Sequence, residues 1–330
     1  MEYPSTRLRK EGMMAFEISK VKYTGKIKEV TIGTGEKAVT IGGETCYPFH
    51  LFEGEMPHLP RIAFEVWDYE PDDWQDWAFE PFKDVISNPV AWARKCVETF
   101  SAEIIALNLK GADPNGKNRD VEDVTNVVKN VVDAVDVPVI VWGTSNDEKD
   151  AVLLRRVAEV CEKENVSIGP VSEKNYKQIG AMAIAYNHPV LASTPIDVNL
   201  AKQLNILLGN LGVQDTRILI DPTTGGLGYG LEYSYSVIER DRMAALTQED
   251  IKLQYPIVCN LAQEIWKTKE ARLSREDDPK LGDAKKRTIL LESVSAMSML
   301  IAGADIVIMR HPDSVALVRE MINELTSKGG

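Results

Sequence analysis

Asp221-Pro-Thr-Thr-Gly-Gly-Leu-Gly-Tyr-Gly230 places a carboxylate, two hydroxyls, a tyrosine and four glycines within ten residues. The preceding Arg217-Ile-Leu-Ile220 reads as a short buried strand, and a helix signal begins near Leu231. An acidic strand end, a glycine-rich loop and a helix start together present free backbone N–H groups to a ligand, so the chemistry on offer is binding. The glycines permit positive φ and close backbone approach. Their spacing fits neither the phosphate loop of nucleotide hydrolases nor the dinucleotide fingerprint. A tight turn that must clear a neighbouring loop explains them equally well.

Carriers of other chemistry are sparse. Cys46, Cys96, Cys161 and Cys259 lie far apart, with no C-x-x-C pair, which excludes a locally encoded iron–sulfur or zinc site and favours buried reduced thiols. His50, His58, His188 and His311 are scattered, without metal-ligand spacing. Lys110 suits the surface as well as it suits a Schiff-base nucleophile. His311, directly before Pro312, reads as a helix-start residue rather than a base.

The elements that position these groups alternate along the chain. Residues 29–32 and 38–41 alternate apolar and polar side chains around Gly33-Thr-Gly35, which predicts a hairpin. Apolar runs at 61–67, 103–109, 137–142, 167–169, 190–193, 217–220, 256–259 and 305–309 predict eight strands, each followed by a helical pattern. Asn88 and Pro89 open the helix that buries Trp92, Cys96 and Phe100. Leu200, Leu204, Leu207, Leu208 and Leu211 line another helix, stopped at Gly212. A helix over 262–272 and a second over 285–301 follow the seventh strand.

Eight strand-then-helix units are the count of a TIM (β/α)8 barrel of the α/β class, whereas a six-strand doubly wound sheet leaves two units unplaced. The expected organisation is an N-terminal extension over 1–25, a hairpin and lead-in segment over 26–60, and the barrel over 61–330. Its ligand face is the carboxyl end of the strands, at Asp68, Lys110, Gly143 with Thr144, Ser193 with Thr194, Asp221, Asn260, and Arg310 with His311. This ring suits hydrogen bonding better than proton transfer. Thr194, Asp221, Thr223, Gly225, Gly226, Gly228 and Tyr229 are the expected ligand-facing set.

The loop after the first barrel strand is long and aromatic. Trp67-Asp-Tyr-Glu-Pro-Asp-Asp-Trp-Gln-Asp-Trp77, followed by Phe79, mixes rings with carboxylates as partner-docking surfaces do, and Trp67, Trp74, Trp77 and Phe79 are the expected contacts. A self-packed lid is the other reading. The 330 residues carry a net charge of −12, which opposes nucleic acid and anionic membranes. No apolar run reaches the length of a membrane span and no apolar signal core is present, so a cytoplasmic protein is expected.

Pro48-Phe-His-Leu-Phe-Glu-Gly-Glu55, the run from Asp221 to Arg240, Met309-Arg-His-Pro312, Gly111-Ala-Asp-Pro114 and Lys202-Gln-Leu-Asn-Ile-Leu207 carry a resemblance over about residues 25–326. The chain resembles the small subunit of the corrinoid iron–sulfur protein, with the archaeal delta subunit of acetyl-CoA decarbonylase/synthase as the wider relative. The resemblance implies a TIM barrel paired with a large subunit that holds a [4Fe-4S] cluster and a cobalamin-type corrinoid, the corrinoid lying between the two. It implies a non-catalytic partner in methyl transfer within the reductive acetyl-CoA pathway. The methyl group would come from methyltetrahydrofolate through a separate methyltransferase and pass to acetyl-CoA synthase. No iron–sulfur cluster is expected in this chain. Two other readings stay open: a pterin-dependent TIM-barrel methyltransferase using Asp221 with Asn199 or Asn260, and an aldolase-type enzyme using Lys110.

Overall fold

Val30–Ile32 (β1) and Val39–Ile41 (β2) pair antiparallel as the hairpin signal predicts, with the Thr31 and Thr40 hydroxyls 2.9 Å apart across the ladder. They belong to a computed structural model that describes residues 19–327, so most of the expected 1–25 extension lies outside the described residues. Eight further strands follow: Arg61–Trp67 (β3), Ile104–Asn108 (β4), Val139–Trp142 (β5), Ser167–Val171 (β6), Val190–Ser193 (β7), Ile218–Asp221 (β8), Val258–Asn260 (β9) and Ile306–Met309 (β10). They form one sheet in the order β8-β7-β6-β5-β4-β3-β10-β9, parallel throughout. A parallel bridge between Ile220 and Ile257 closes the ring, with the Ile220 N–H donating to the Pro256 carbonyl at 2.8 Å. The expected eight-stranded barrel is what forms.

Strand alternation sorts the side chains into two cores. Ile62, Phe64, Val66, Ile105, Leu107, Val139, Val141, Ile218, Ile220, Val307 and Met309 pack outward under the helices. Ala63, Ile104, Ala106, Ile140, Leu191, Leu219, Val258, Ile306 and Ile308 fill the barrel interior, and Val30, Ile32 and Ile41 of the hairpin join that interior cluster. The hairpin therefore plugs the barrel at its amino end.

Beside the plug, the Arg242 guanidinium donates to the Gly303 carbonyl at 2.7 Å and the Tyr255 carbonyl at 3.3 Å, and pairs with Asp305. Asp305 also accepts from the Ile257 N–H at 2.6 Å. Gly303 has φ of 138°, and a Cβ there would lie 2.2 Å from Arg242 Cγ, so only glycine fits.

Helix starts follow their caps. The Asn88 side chain accepts from the N–H groups of Val90 and Ala91, and Asp197 accepts from those of Asn199 and Leu200. The Asp197 cap sets the phase of helix Val198–Leu211, whose buried stripe is Ala201, Leu204, Asn205 and Leu208. Leu200 falls outside that stripe and is 38% exposed, which corrects its expected place in the core. The single helix expected over 262–272 is instead two short ones, Leu261–Ile265 and Lys269–Arg272. Thr268 divides them, its hydroxyl donating back to the Ile265 carbonyl at 2.8 Å and accepting from the Ala271 N–H at 3.2 Å.

Candidate functional site at the carboxyl end of the barrel

On β3, β4, β8, β9 and β10, continuing the inward parity past the apolar interior gives a polar rim. Glu65 and Trp67 follow Ala63, Asn108 follows Ala106, Asp221 follows Leu219, Asn260 follows Val258, and Arg310 follows Ile308. These residues divide into two sectors.

The first sector spans β7 to β9. Ser193 Oγ donates to Asp221 Oδ2 at 2.7 Å, and the Thr223 N–H donates to Asp221 Oδ1 at 3.0 Å. The Thr223 hydroxyl returns to the Thr194 carbonyl, and the Thr194 N–H donates to the Asp221 carbonyl at 3.1 Å. Thr194, Asp221 and Thr223 thus form one bonded cluster, as their shared strand ends suggested. Burial pushes Asp221 up to about 6, against the pull of the Ser193 and Thr223 hydrogen bonds. Thr224 Oγ1 donates to the Asn260 carbonyl at 2.7 Å. Thr194 Oγ1 and Asn260 Nδ2 are buried with no hydrogen-bond partner among the described residues.

The glycine loop differs from its expected conformation. Gly225–Gly228 forms a 3-10 turn, and neither its glycines nor Gly230 has the positive φ that motivated their reading. The left-handed residue is Thr223, at φ of 60°. Its N–H bond to Asp221 and its hydroxyl bond to Thr194 hold it there. Gly226 is crowded, since a Cβ would meet Ser234 Oγ at 3.0 Å and Ile196 Cδ1 at 3.2 Å and those side chains would have to give way. Gly225 and Gly228 are not: a Cβ would meet nothing closer than 3.8 Å and 3.7 Å. Among the described residues nothing crowds a side chain at those two positions. Tyr229 beside them is 95% exposed, and Tyr233 60%.

The second sector is the aromatic loop over β3, β4 and β10. Trp67 and Trp74 meet edge to face at 5.5 Å, and Trp74 meets Trp92 likewise at 5.4 Å. Trp74, Trp77 and Phe79 are half-buried and packed against the core. The four rings expected as partner contacts therefore rest on their own chain, while Asp72, Asp73, Asp76 and Glu80 face solvent. Beneath them the Arg310 guanidinium lies 3.9 Å from the Trp74 ring centre and donates from Nε to Glu65 Oε2 at 2.6 Å. Asn108 Nδ2 donates to Glu65 Oε1 at 2.6 Å. Glu292, raised by burial, accepts from the Arg310 N–H at 2.7 Å, the His311 N–H at 3.2 Å and Trp266 Nε1 at 3.0 Å.

His311 caps the last helix, its Nδ1 accepting from the Asp313 N–H at 3.1 Å, in keeping with its reading as a helix-start residue. Burial pushes its ring down to about 4, so it is neutral near pH 7. Asn199 is exposed on the first turn of its helix, whereas Asn260 lies in the mouth. Glu65, Asn108, Trp266 and Glu292 were missed by sequence reasoning. A carboxylate and an amide inside the apolar runs of β3 and β4 were the available signal.

Among the described residues no three His, Cys, Asp or Glu side chains converge as a metal site. The four cysteines are free and buried, as expected of reduced thiols. No helix of the described residues is long and apolar enough to cross a membrane.

Residues 29–326 match the family described as CO dehydrogenase/acetyl-CoA synthase delta subunit. The chain is 35% identical to the acetyl-CoA decarbonylase/synthase complex subunit delta of Archaeoglobus fulgidus, over 95% of its own length and 71% of the relative's. It is 34% identical to subunit delta 1 of Methanosarcina thermophila, covering 94% of this chain and 73% of that one. Its fold is similar to that of Xanthomonas albilineans dihydropteroate synthase, with a TM-score of 0.58 at 12% identity, covering 92% of this chain and 100% of that one. The Thermus thermophilus dihydropteroate synthase gives a TM-score of 0.55 at 13% identity, covering 86% and 99%.

Proposed function

The chain belongs to the CO dehydrogenase/acetyl-CoA synthase delta subunit family, that of the corrinoid iron–sulfur protein small subunit, and from that premise we propose that it is the barrel half of a cytoplasmic methyl carrier. Its partner is a large subunit that holds the corrinoid, and the strand carboxyl end of this barrel covers the corrinoid's exposed side. The methyl group passes from methyltetrahydrofolate, through a methyltransferase, to acetyl-CoA synthase. When bound, the corrinoid supplies the cobalt that carries the methyl group. This chain's residues bind, orient and exclude water.

The observation that carries the reading is the β7–β9 sector: Thr194 Oγ1 and Asn260 Nδ2, buried without partners among the described residues, beside two glycines that no described neighbour crowds. A corrinoid is rimmed by amide groups that both donate and accept, so this mixed donor and acceptor set fits it. Bare backbone at Gly225 and Gly228 allows close approach, and Tyr229 offers a rigid exposed ring of the kind that anchors interfaces. Asp221 orders the cluster through Ser193 and Thr223.

The test is Tyr229→Ala in the heterodimer reconstituted with the large subunit. An exposed tyrosine contributes little to the fold, so the melting transition should hold. Heterodimer affinity or methyl-transfer rate should fall roughly ten-fold, the scale of an interface anchor worth about 1.4 kcal/mol. Wild-type values for both would remove this face from the interface.

A further inference from the structure

We propose that a cavity beneath the tryptophan loop is a second binding site, in which Lys110 and Lys267 take a small oxyanion group, a carboxylate or a phosphate. The cavity holds about 210 Å³ and is lined by Trp67, Trp74, Lys110, Trp266, Lys267 and Arg310, among others. It lies over β3, β4, β9 and β10, in the other sector from the glycine loop, and goes beyond the corrinoid reading.

The charges around the cavity are unevenly matched. Arg310 is neutralised by Glu65 at 2.6 Å, and Arg272 faces Asp73 at 3.8 Å. Lys267 lies 3.5 Å from Glu264 but is itself more than half exposed, so that pair is weak. Lys110 is half-buried, and among the described residues no carboxylate lies within 4.0 Å of its ammonium and no acceptor takes its hydrogen bonds. Burial and the neighbouring Lys267 charge hold its pKa below the ordinary lysine value, although Glu65, Asp113 and Glu264 oppose the shift. A desolvated cation facing a second cation gains most from an anion placed between them.

The walls add hydrogen-bonding capacity. The Trp67 and Trp74 indole N–H groups, which belong to lining residues, are buried without partners, as is Gln263 Oε1. Indole N–H groups donate only, so their missing partners are acceptors. Two ammonium groups line this one cavity, and that of Lys110 has no carboxylate partner among the described residues, which is the feature an oxyanion would meet. Asp73 and Asp113 also line the cavity, and Asp73 is engaged by Arg272 at 3.8 Å.

Three tryptophans line the cavity, so intrinsic fluorescence of the full chain reads occupancy directly. The full chain is titrated with inorganic phosphate and, separately, with sodium acetate, each against sodium chloride at matched ionic strength. A saturable change with phosphate or acetate, and none with chloride, is expected; whichever responds identifies the ligand group. Lys110→Gln should weaken that binding roughly ten-fold or more, the value of one charge-assisted hydrogen bond, and Lys110→Arg should retain it. Should Lys110→Gln fail to fold, Lys267→Gln gives the same readout at a more exposed position. The proposal is overturned if neither anion differs from chloride, or if a folded Lys110→Gln or Lys267→Gln variant binds as tightly as the wild type. Because the free chain is used, failure here leaves the corrinoid reading untouched.

Discussion

At the amino end of the barrel, Arg242 reaches two carbonyls and the Asp305 carboxylate, and the β1–β2 hairpin fills the interior with Val30, Ile32 and Ile41. At the carboxyl end, the same strands finish in Asn108, Asp221 and Asn260, with Thr194 Oγ1 and Asn260 Nδ2 left unpaired. The contrast is one of filling. The amino end is packed by its own hairpin, whereas the carboxyl end opens as a rim of polar side chains, the face on which barrels of this kind place their ligands.

The largest expected effect lies at the closed end. Asp305→Ala strands a buried guanidinium and removes the acceptor of the Ile257 N–H, which should cost about 3–5 kcal/mol in urea unfolding. A cost below about 1 kcal/mol would mean that the latch is not what closes this end.

Asp221 should behave in the opposite sense. Its folded pKa is raised from 3.8 to about 6, so its contribution to stability is fully present below 3.8 and is lost as pH rises through 6. The raised pKa corresponds to about 3 kcal/mol of penalty on the ionised form. Asn keeps an acceptor for the Thr223 N–H, so Asp221→Asn should be more stable than the wild type at pH 7.5, by about 1–3 kcal/mol. That advantage should shrink as pH falls through 6. Equal melting temperatures across the range would show that burial does not penalise this carboxylate.

The smallest stability effect is expected within the glycine loop, where neighbouring positions should separate. Gly226→Val pushes into Ser234 and Ile196 and should cost about 1–3 kcal/mol. Gly228→Val brings its Cβ into ordinary contact with Thr268 at 3.7 Å and should stay within about 0.5 kcal/mol of the wild type. Methyl transfer by the reconstituted heterodimer should nonetheless fall for Gly228→Val. Equal melting shifts for the two variants would contradict the packing described.

Much of this contrast could be read from the chain beforehand, because apolar runs between turn signals mark strands whichever way they face. β3 and β7 match their expected bounds, and the (β/α)8 count follows from periodicity. Which parity faces the barrel interior depends on closure, a property of all eight strands together. That is why Glu65 passed as an ordinary strand residue although it anchors Arg310. The glycine loop was located correctly, but the positive φ fell on Thr223, where hydrogen bonds to Asp221 and Thr194 outweigh the preference for glycine. The tryptophan-rich loop shows the same limit. Its composition marks it as unusual, yet whether a ring turns inward depends on partners such as Trp92 and Arg310, which are distant in sequence.

Amide hydrogen exchange on the chain, free and bound to the large subunit, tests most directly whether the open end is the working end. Slower exchange on binding is expected over residues 222–233, with the hairpin at 30–41 unchanged. Protection confined to the hairpin, or to the outer face of helix Ala284–Ala302, with 222–233 exchanging as in the free chain, would contradict that assignment.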